Sequence, residues 1–185
     1  MKIEATALPD VLLITPRVFA DDRGWFLETW RAEVYEPHGI NAQFVQSNCS
    51  SSSRGVVRGL HYQWPEPQGK LIWVSHGRVL DVAVDIRPDS PTFKQSVAIE
   101  LDDQQHQQLW IPEGFAHGFQ VLSERATFNY LCTRPYRAEY DAAVAWNDPD
   151  LAIAWPLPAT GLSPKDVAAP RLAEVPADHL PQCAC

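Results

Sequence analysis

The chain has 185 residues, 45% of them hydrophobic and 10% aromatic, with seven tryptophans. That is enough apolar material for the packed core of one ordinary domain over 1–185, and it excludes a disordered chain. The formal net charge of −8 excludes capture of a nucleic-acid polymer by the overall field, so an anionic small ligand would need arginines and lysines gathered locally.

In chain order, the first ten residues lack the charged-then-apolar pattern of a signal peptide, and 11–14 read as a strand. Residues 30–37 predict a helix stopped at His38-Gly39. The serine run at 50–53 reads as a turn, and 71–75 as a short strand. The clearest period-two pattern is 77–87. Leu80, Val82, Val84 and Ile86 share one face there, and Val79, Asp81, Ala83 and Asp85 the other, between a turn glycine and Pro88-Asp89-Ser90-Pro91. Residues 96–101 and 126–132 are further strands. A second helix is expected to start at Ser163, with Pro164 at its first position. The proline-rich segment 156–185 is expected to be irregular, either wrapping the body or fraying. Many short strands separated by Gly, Pro and Asp predict an all-β sandwich or barrel. No stretch approaches 18 uninterrupted apolar residues, so no membrane span is expected. Cys49, Cys132, Cys183 and Cys185 form no CxxC, which argues against a zinc site or a disulfide framework and makes the cytoplasm the expected location.

Chemistry concentrates in a few segments. His61 lies in Arg58-Gly59-Leu60-His61-Tyr62-Gln63, among apolar neighbours that would hold an imidazole still. A fixed histidine is a candidate proton carrier, although a lone one in an apolar strand is more often a hydrogen-bonded core residue. Gln68-Gly69-Lys70 puts a lysine at the start of a strand. Residues 111–119 form a loop with two glycines and His117. Trp146-Asn147-Asp148-Pro149 places a carboxylate in a turn, and Tyr130 sits in a strand-like run. Alone, each is an ordinary solvated lysine, strand aromatic or turn. His38, His76 and His106 suit surface or capping roles.

Taken together, RGLHYQ (58–63), QGKL (68–71), GRVLDVAVDIR (77–87), SPTF (90–93), LWIPEGFAHGF (109–119) and WNDPDLAIAWP (146–156) occur in an order and at separations similar to the dTDP-4-dehydrorhamnose 3,5-epimerase family. Residues 16–24 and 44–48 match its N-terminal pattern, so the resemblance covers nearly the whole chain. It implies a cupin-like jelly-roll β-sandwich with a few short peripheral helices. It also implies a homodimer with exchanged strands, and a cytoplasmic enzyme of deoxysugar-nucleotide synthesis that binds a dTDP-sugar and needs no metal or organic cofactor. Cupin metal sites typically use an H-x-H spacing, which this chain lacks, so no catalytic metal is expected.

By position, the resemblance makes His61 the general base, Asp148 the carboxylate that pairs with it, Tyr130 the acid on the opposite face and Lys70 the cation beside the 4-keto oxygen. Arg23, Glu28, Gln46, Asn48, Arg58, His117 and Glu139 match sugar-nucleotide contacts. Arg23 and Arg58 suit the diphosphate, because guanidinium meets phosphate oxygens bidentately. Phe26 and Tyr136 match packing on the thymine, for which core packing is an equally good explanation. The chemistry needs such a set. The ketone acidifies C3 and C5, a cation stabilises the enolate, and inversion needs proton carriers on both faces. Asp81 and Asp85 have no matching role in the family and read as structural polar contacts rather than a paired-carboxylate site. Ser47, Ala145 and Pro135 depart from the family pattern, which bears on the diphosphate and base contacts. The alternatives are a single-centre epimerase of another dTDP-deoxysugar, a non-catalytic sugar-nucleotide-binding cupin and a structural jelly roll with incidental histidines.

Overall fold

The computed structural model describes residues 1–183, so Cys185 lies outside the described residues. The strands are β1 (Lys2–Ala5), β2 (Leu12–Thr15), β3 (Val18–Asp21), β4 (Gly24–Leu27), β5 (Gln46–Ser53), β6 (Val57–Gln63) and β7 (Lys70–His76). They continue as β8 (Arg78–Asp85), β9 (Ser96–Asp102), β10 (Gln108–Ile111), β11 (Phe115–Val121), β12 (Arg125–Cys132) and β13 (Asp141–Ala143). Two antiparallel sheets result, in the orders β1-β2-β10-β7-β12-β5 and β13-β6-β11-β8-β9, with β3–β4 as a separate hairpin. The two helices are α1 (Ala32–Tyr35) and α2 (Pro164–Ala168).

The alternation in β8 explains why the sheets stack. Val79 and Ala83 point inward and meet Ile72, Val74, Phe115, Phe119 and Phe128 between the sheets. Phe119 and Phe128 stack across the two sheets at 4.0 Å between ring centroids. Leu80, Val82 and Val84 point to the other face, so β8 is buried on both sides. The proline-rich tail covers that second face, with Leu172 and Leu180 buried against it beside Leu151 from the preceding turn. Each leucine so buried is worth about 2 kcal/mol, so the tail wraps the body rather than fraying. Its polar backbone is satisfied as it crosses: Val57 N donates to Gly161 O (3.0 Å), Ala145 N to Pro170 O (2.8 Å) and Gln120 Nε2 to Leu157 O (2.8 Å).

Three local expectations change. The serine run lies in β5, an edge strand whose residues pair with β12 from Ser53↔Arg125 to Gln46↔Cys132. Serines suit an edge strand that turns alternate side chains to solvent. The segment read as a loop at 111–119 contains β10's end and most of β11, because the partners β6 and β8 supply its hydrogen bonds. The first helix is a single α turn followed by a 3₁₀ turn, Glu36–His38, closed by Gly39 at φ 86°. It has no side-chain cap, and Pro37 lacks the N–H that would continue it.

Asp85 is structural, as expected from the sequence. Burial opposes its charge, but hydrogen bonds from Arg87, Ser90 and Thr92 outweigh that and hold its pKa below the usual carboxylate value.

The β6–β11 crossing depends on two glycines. The register shifts between His117 and Phe119, and Gly59 there has φ 127°. A Cβ on Gly118 would lie 2.7 Å from Arg58 O. Gly118→Ala should therefore cost about 1–3 kcal/mol through overpacking, read as a lower urea midpoint at unchanged m-value.

Candidate active site

Strand alternation sets the site. Leu60 and Tyr62 face the tail-side core, which turns His61, between them, to the opposite side of β6. On the facing sheet, Lys70 pairs with Cys132, Cys132 with Gln46 and Tyr130 with Asn48, so these side chains share one face. The result is a cavity of about 100 Å³ walled by both sheets. His61 and Gln63 come from β6. Tyr130 and Cys132 come from β12, and Gln46 and Asn48 from β5. Tyr62, Gln68, Lys70, Tyr136 and Asp141 complete the wall, with the Lys70 amine 6.0 Å from the Tyr130 ring centroid.

His61 Nε2 lies 2.5 Å from Asp166 Oδ1, and the Asp166 side chain is almost fully buried. Asp166 is held by the start of α2. Its N–H donates to Ser163 Oγ (3.1 Å), and that hydroxyl donates back to Asp166 Oδ2 (2.8 Å). This capping box leaves Oδ1 for the imidazole.

The carboxylate that pairs with His61 is thus Asp166, and the sequence-based assignment of Asp148 is corrected. Asp148 Oδ2 accepts from Leu172 N (2.7 Å), and Oδ1 accepts from Asp150 N (3.0 Å). Two backbone donors saturate it, and it braces the turn into the tail. The signal for Asp166 was present as Ser163-Pro164-Lys165-Asp166, a helix start whose third helical residue is acidic.

The electrostatics shift each group in a definite direction. Burial pushes the His61 pKa below its ordinary value, and Lys165 adds to this, while Asp166 pulls the other way. The imidazole is therefore neutral near pH 7, as a base must be. Burial raises the Tyr130 pKa, so its hydroxyl keeps its proton. Burial lowers the Lys70 pKa, with Cys132 and Asp81 opposing.

The other sequence-predicted positions divide. Gln46 and Asn48 line the cavity, and Gln46 Nε2 donates to Asn48 Oδ1 at 3.0 Å. Arg58 is exposed and donates to Ser52 Oγ (3.0 Å). His117 lies behind the cavity wall, buried, with Nε2 2.9 Å from Asp81 Oδ2 and its ring stacked on Phe128. Glu139 is exposed in a 3₁₀ turn and does not line the cavity. Arg23 is ion-paired with Asp21 (2.6 Å), and Glu28 with Arg31 (3.1 Å). Phe26 and Glu28 line a different depression. A larger concavity of about 600 Å³, beside Trp110 and Arg134, contains none of the proton carriers. Among the described residues, no three His, Cys, Asp or Glu side chains cluster as metal ligands. Among them, no helix is long and apolar enough to cross a membrane.

Residues 5–174 match the family model described as dTDP-4-dehydrorhamnose 3,5-epimerase. The chain belongs to this family. A dTDP-4-dehydrorhamnose 3,5-epimerase of Pseudomonas aeruginosa is 51% identical over 168 residues, covering 90% of this chain and 93% of that one. One of Neisseria gonorrhoeae is 52% identical over 91% of this chain, which spans only 52% of that relative's length. The crystal structure of dTDP-6-deoxy-D-glucose-3,5-epimerase from Legionella pneumophila, in complex with dTDP-4-keto-L-rhamnose, matches with a TM-score of 0.97. Its identity is 47%, over 100% of this chain and 99% of that one. The sandwich is accordingly the cupin fold of this epimerase family. The chain is an isomerase, a dTDP-4-dehydrorhamnose 3,5-epimerase of dTDP-rhamnose biosynthesis.

Two variants separate the carboxylates. Asp166→Asn should lower kcat about 10²-fold, because the imidazole loses the partner that orients it and stabilises its protonated form. Asp148→Ala should instead destabilise by about 1–3 kcal/mol, the cost of leaving a buried backbone donor unpaired. Steady-state kinetics and urea unfolding on both variants check this.

Proposed function

We propose that His61 is the base that removes the C3 and C5 protons of dTDP-4-dehydro-6-deoxy-D-glucose, giving dTDP-4-dehydro-L-rhamnose. The observation that carries this reading is that His61 and Tyr130 face one cavity from opposite sheets, with Lys70 beside Tyr130. The 4-keto group makes both carbons acidic, and Lys70 Nζ lies beside Tyr130, where it can donate to the enolate oxygen as charge develops. Tyr130, protonated, returns a proton from the opposite face, so the centre inverts. Asp166 orients the imidazole and stabilises its protonated form between the two transfers. Gln46 and Asn48 hold the sugar, and Arg58 meets the diphosphate.

Arg23, Phe26 and Glu28 take their nucleotide-binding roles in a homodimer. The β3–β4 hairpin carries Phe19, Trp25 and Phe26 at 48%, 57% and 68% exposure. A second copy of the chain would cover these rings, and the hairpin would reach the partner's cavity. The cysteines Cys49, Cys132 and Cys183 are unpaired, in keeping with a reducing cytoplasm.

Incubation with the substrate in D₂O, without a reductase, tests the chemistry. Deuterium should enter at both C3 and C5, whereas uptake at one carbon would favour a single-centre epimerase. His61→Ala should abolish exchange at both carbons. Tyr130→Phe should retain some exchange and lose inversion.

The pH profile follows from the lowered His61 pKa. A base must be neutral, so kcat/KM should fall as pH drops through a midpoint below the ordinary 6.5. A midpoint above 6.5 would contradict the assignment.

A further inference from the structure

We propose that Thr133 and Glu113 are positioning residues that lock the main chain at Gly69 and so aim the Lys70 amine into the active site. This rests on the reading of Lys70 as the group beside the 4-keto oxygen.

Lys70 is the first residue of β7, with β10 on one side and β12 on the other (Lys70↔Ile111, Lys70↔Cys132). Among the described residues, no ion pair or hydrogen bond holds its amine, which lies 6.0 Å from the Tyr130 ring centroid. The aim of the side chain therefore depends on where the main chain enters β7.

That entry is fastened from both neighbouring strands. Thr133 directly follows the end of β12, and Glu113 lies just beyond the end of β10. Gly69 N donates to Thr133 Oγ1 (2.8 Å), and Thr133 N donates to Gly69 O (3.0 Å). Both polar groups of Gly69 thus end on one threonine. The Thr133 hydroxyl donates in turn to Glu113 Oε1 (2.5 Å). A hydroxyl that gives its proton to a carboxylate presents a lone pair to Gly69, and each bond polarises the next. The carboxylate lies close over the turn: a Cβ on Gly69 would meet Glu113 Oε1 at 3.2 Å and Trp110 Cη2 at 2.8 Å. Gln68 Nε2 adds a donation to Arg134 O (2.8 Å), so residues 68–70 are tied to 132–134 one by one.

Neither Thr133 nor Glu113 lines the cavity that holds His61 and Tyr130; both border the separate, larger concavity. They reach the chemistry through Lys70. A misplacement of about 1 Å at a catalytic group can cost about 10²-fold in rate, so loosening this link belongs to kcat.

The test uses the full chain with Thr133→Val, Thr133→Ser, Glu113→Ala and Lys70→Met, and each of Thr133→Val and Glu113→Ala combined with Lys70→Met. It reads kcat and KM for the dTDP-sugar, with deuterium uptake over long incubation in D₂O for the slowest variants. Thr133→Val should lower kcat about 10-fold with little change in KM, and Thr133→Ser, which keeps the hydroxyl, should restore it. Glu113→Ala should show part of the same loss, and it carries the comparison should Thr133→Val fail to fold. On top of Lys70→Met, neither change should slow the reaction further, because residues that act through one group are not additive. A further 10-fold loss in the double variants would overturn the proposal, as would wild-type kcat in both Thr133→Val and Glu113→Ala. A rise in KM alone would also overturn it, making Thr133 a substrate contact. Wild-type kcat in Lys70→Met would instead sink the reading of Lys70, and the positioning role with it.

Discussion

One hydrogen bond, between His61 and Asp166, joins residues 105 positions apart, and much of the architecture serves to make it. A carboxylate this buried is costly unless every oxygen is partnered. Asp166 meets that condition with the imidazole on one oxygen and the Ser163 cap on the other. Moving α2 away would strip the buried Asp166 carboxylate of its imidazole partner, so the tail has one favourable seat. The apolar side chains that follow α2, Leu172 and Leu180, secure that seat from beyond the helix.

The second sheet is therefore sandwiched twice, once by the first sheet and once by the tail. This is why β8 can be apolar on both faces although the sheets are antiparallel, where one wet face is common. The polar exceptions on its inner face are Asp81 and Asp85. Asp85 is saturated by Arg87, Ser90 and Thr92 at one end of the strand. Asp81 holds His117, and its second oxygen has no partner among the described residues. The two carboxylates read alike in sequence, yet one closes a turn and the other sits beneath the catalytic wall.

Legibility followed the range of the interactions. The period-two alternation of 77–87 is local, so both its faces could be read correctly from the residues alone. Lys70, Tyr130 and His61 were found through the resemblance and do share a cavity. The pairing of His61 was misread, because Asp148 was assigned by position through the resemblance, whereas tertiary packing brings Asp166 to the imidazole. The serine run at 50–53 was misread because serine favours turns locally, while β12 supplies a complete ladder of partners from a distance. Residues 111–119 failed likewise, since Pro112, Gly114 and Gly118 suggest a loop, although β11 is central to its sheet.

The order of these elements along the chain has a consequence for biosynthesis. Every strand that walls the cavity precedes α2, so the ribosome releases both sheets before it releases the group that orients the base. A nascent chain ending near Ala143 already carries the histidine, tyrosine and lysine of the cavity but not the carboxylate that orients the base. Competence arrives with the final segment, in the same step that covers the apolar outer face of β8. A chain terminated before α2 thus lacks the carboxylate on His61 and leaves the outer face of β8 without its cover.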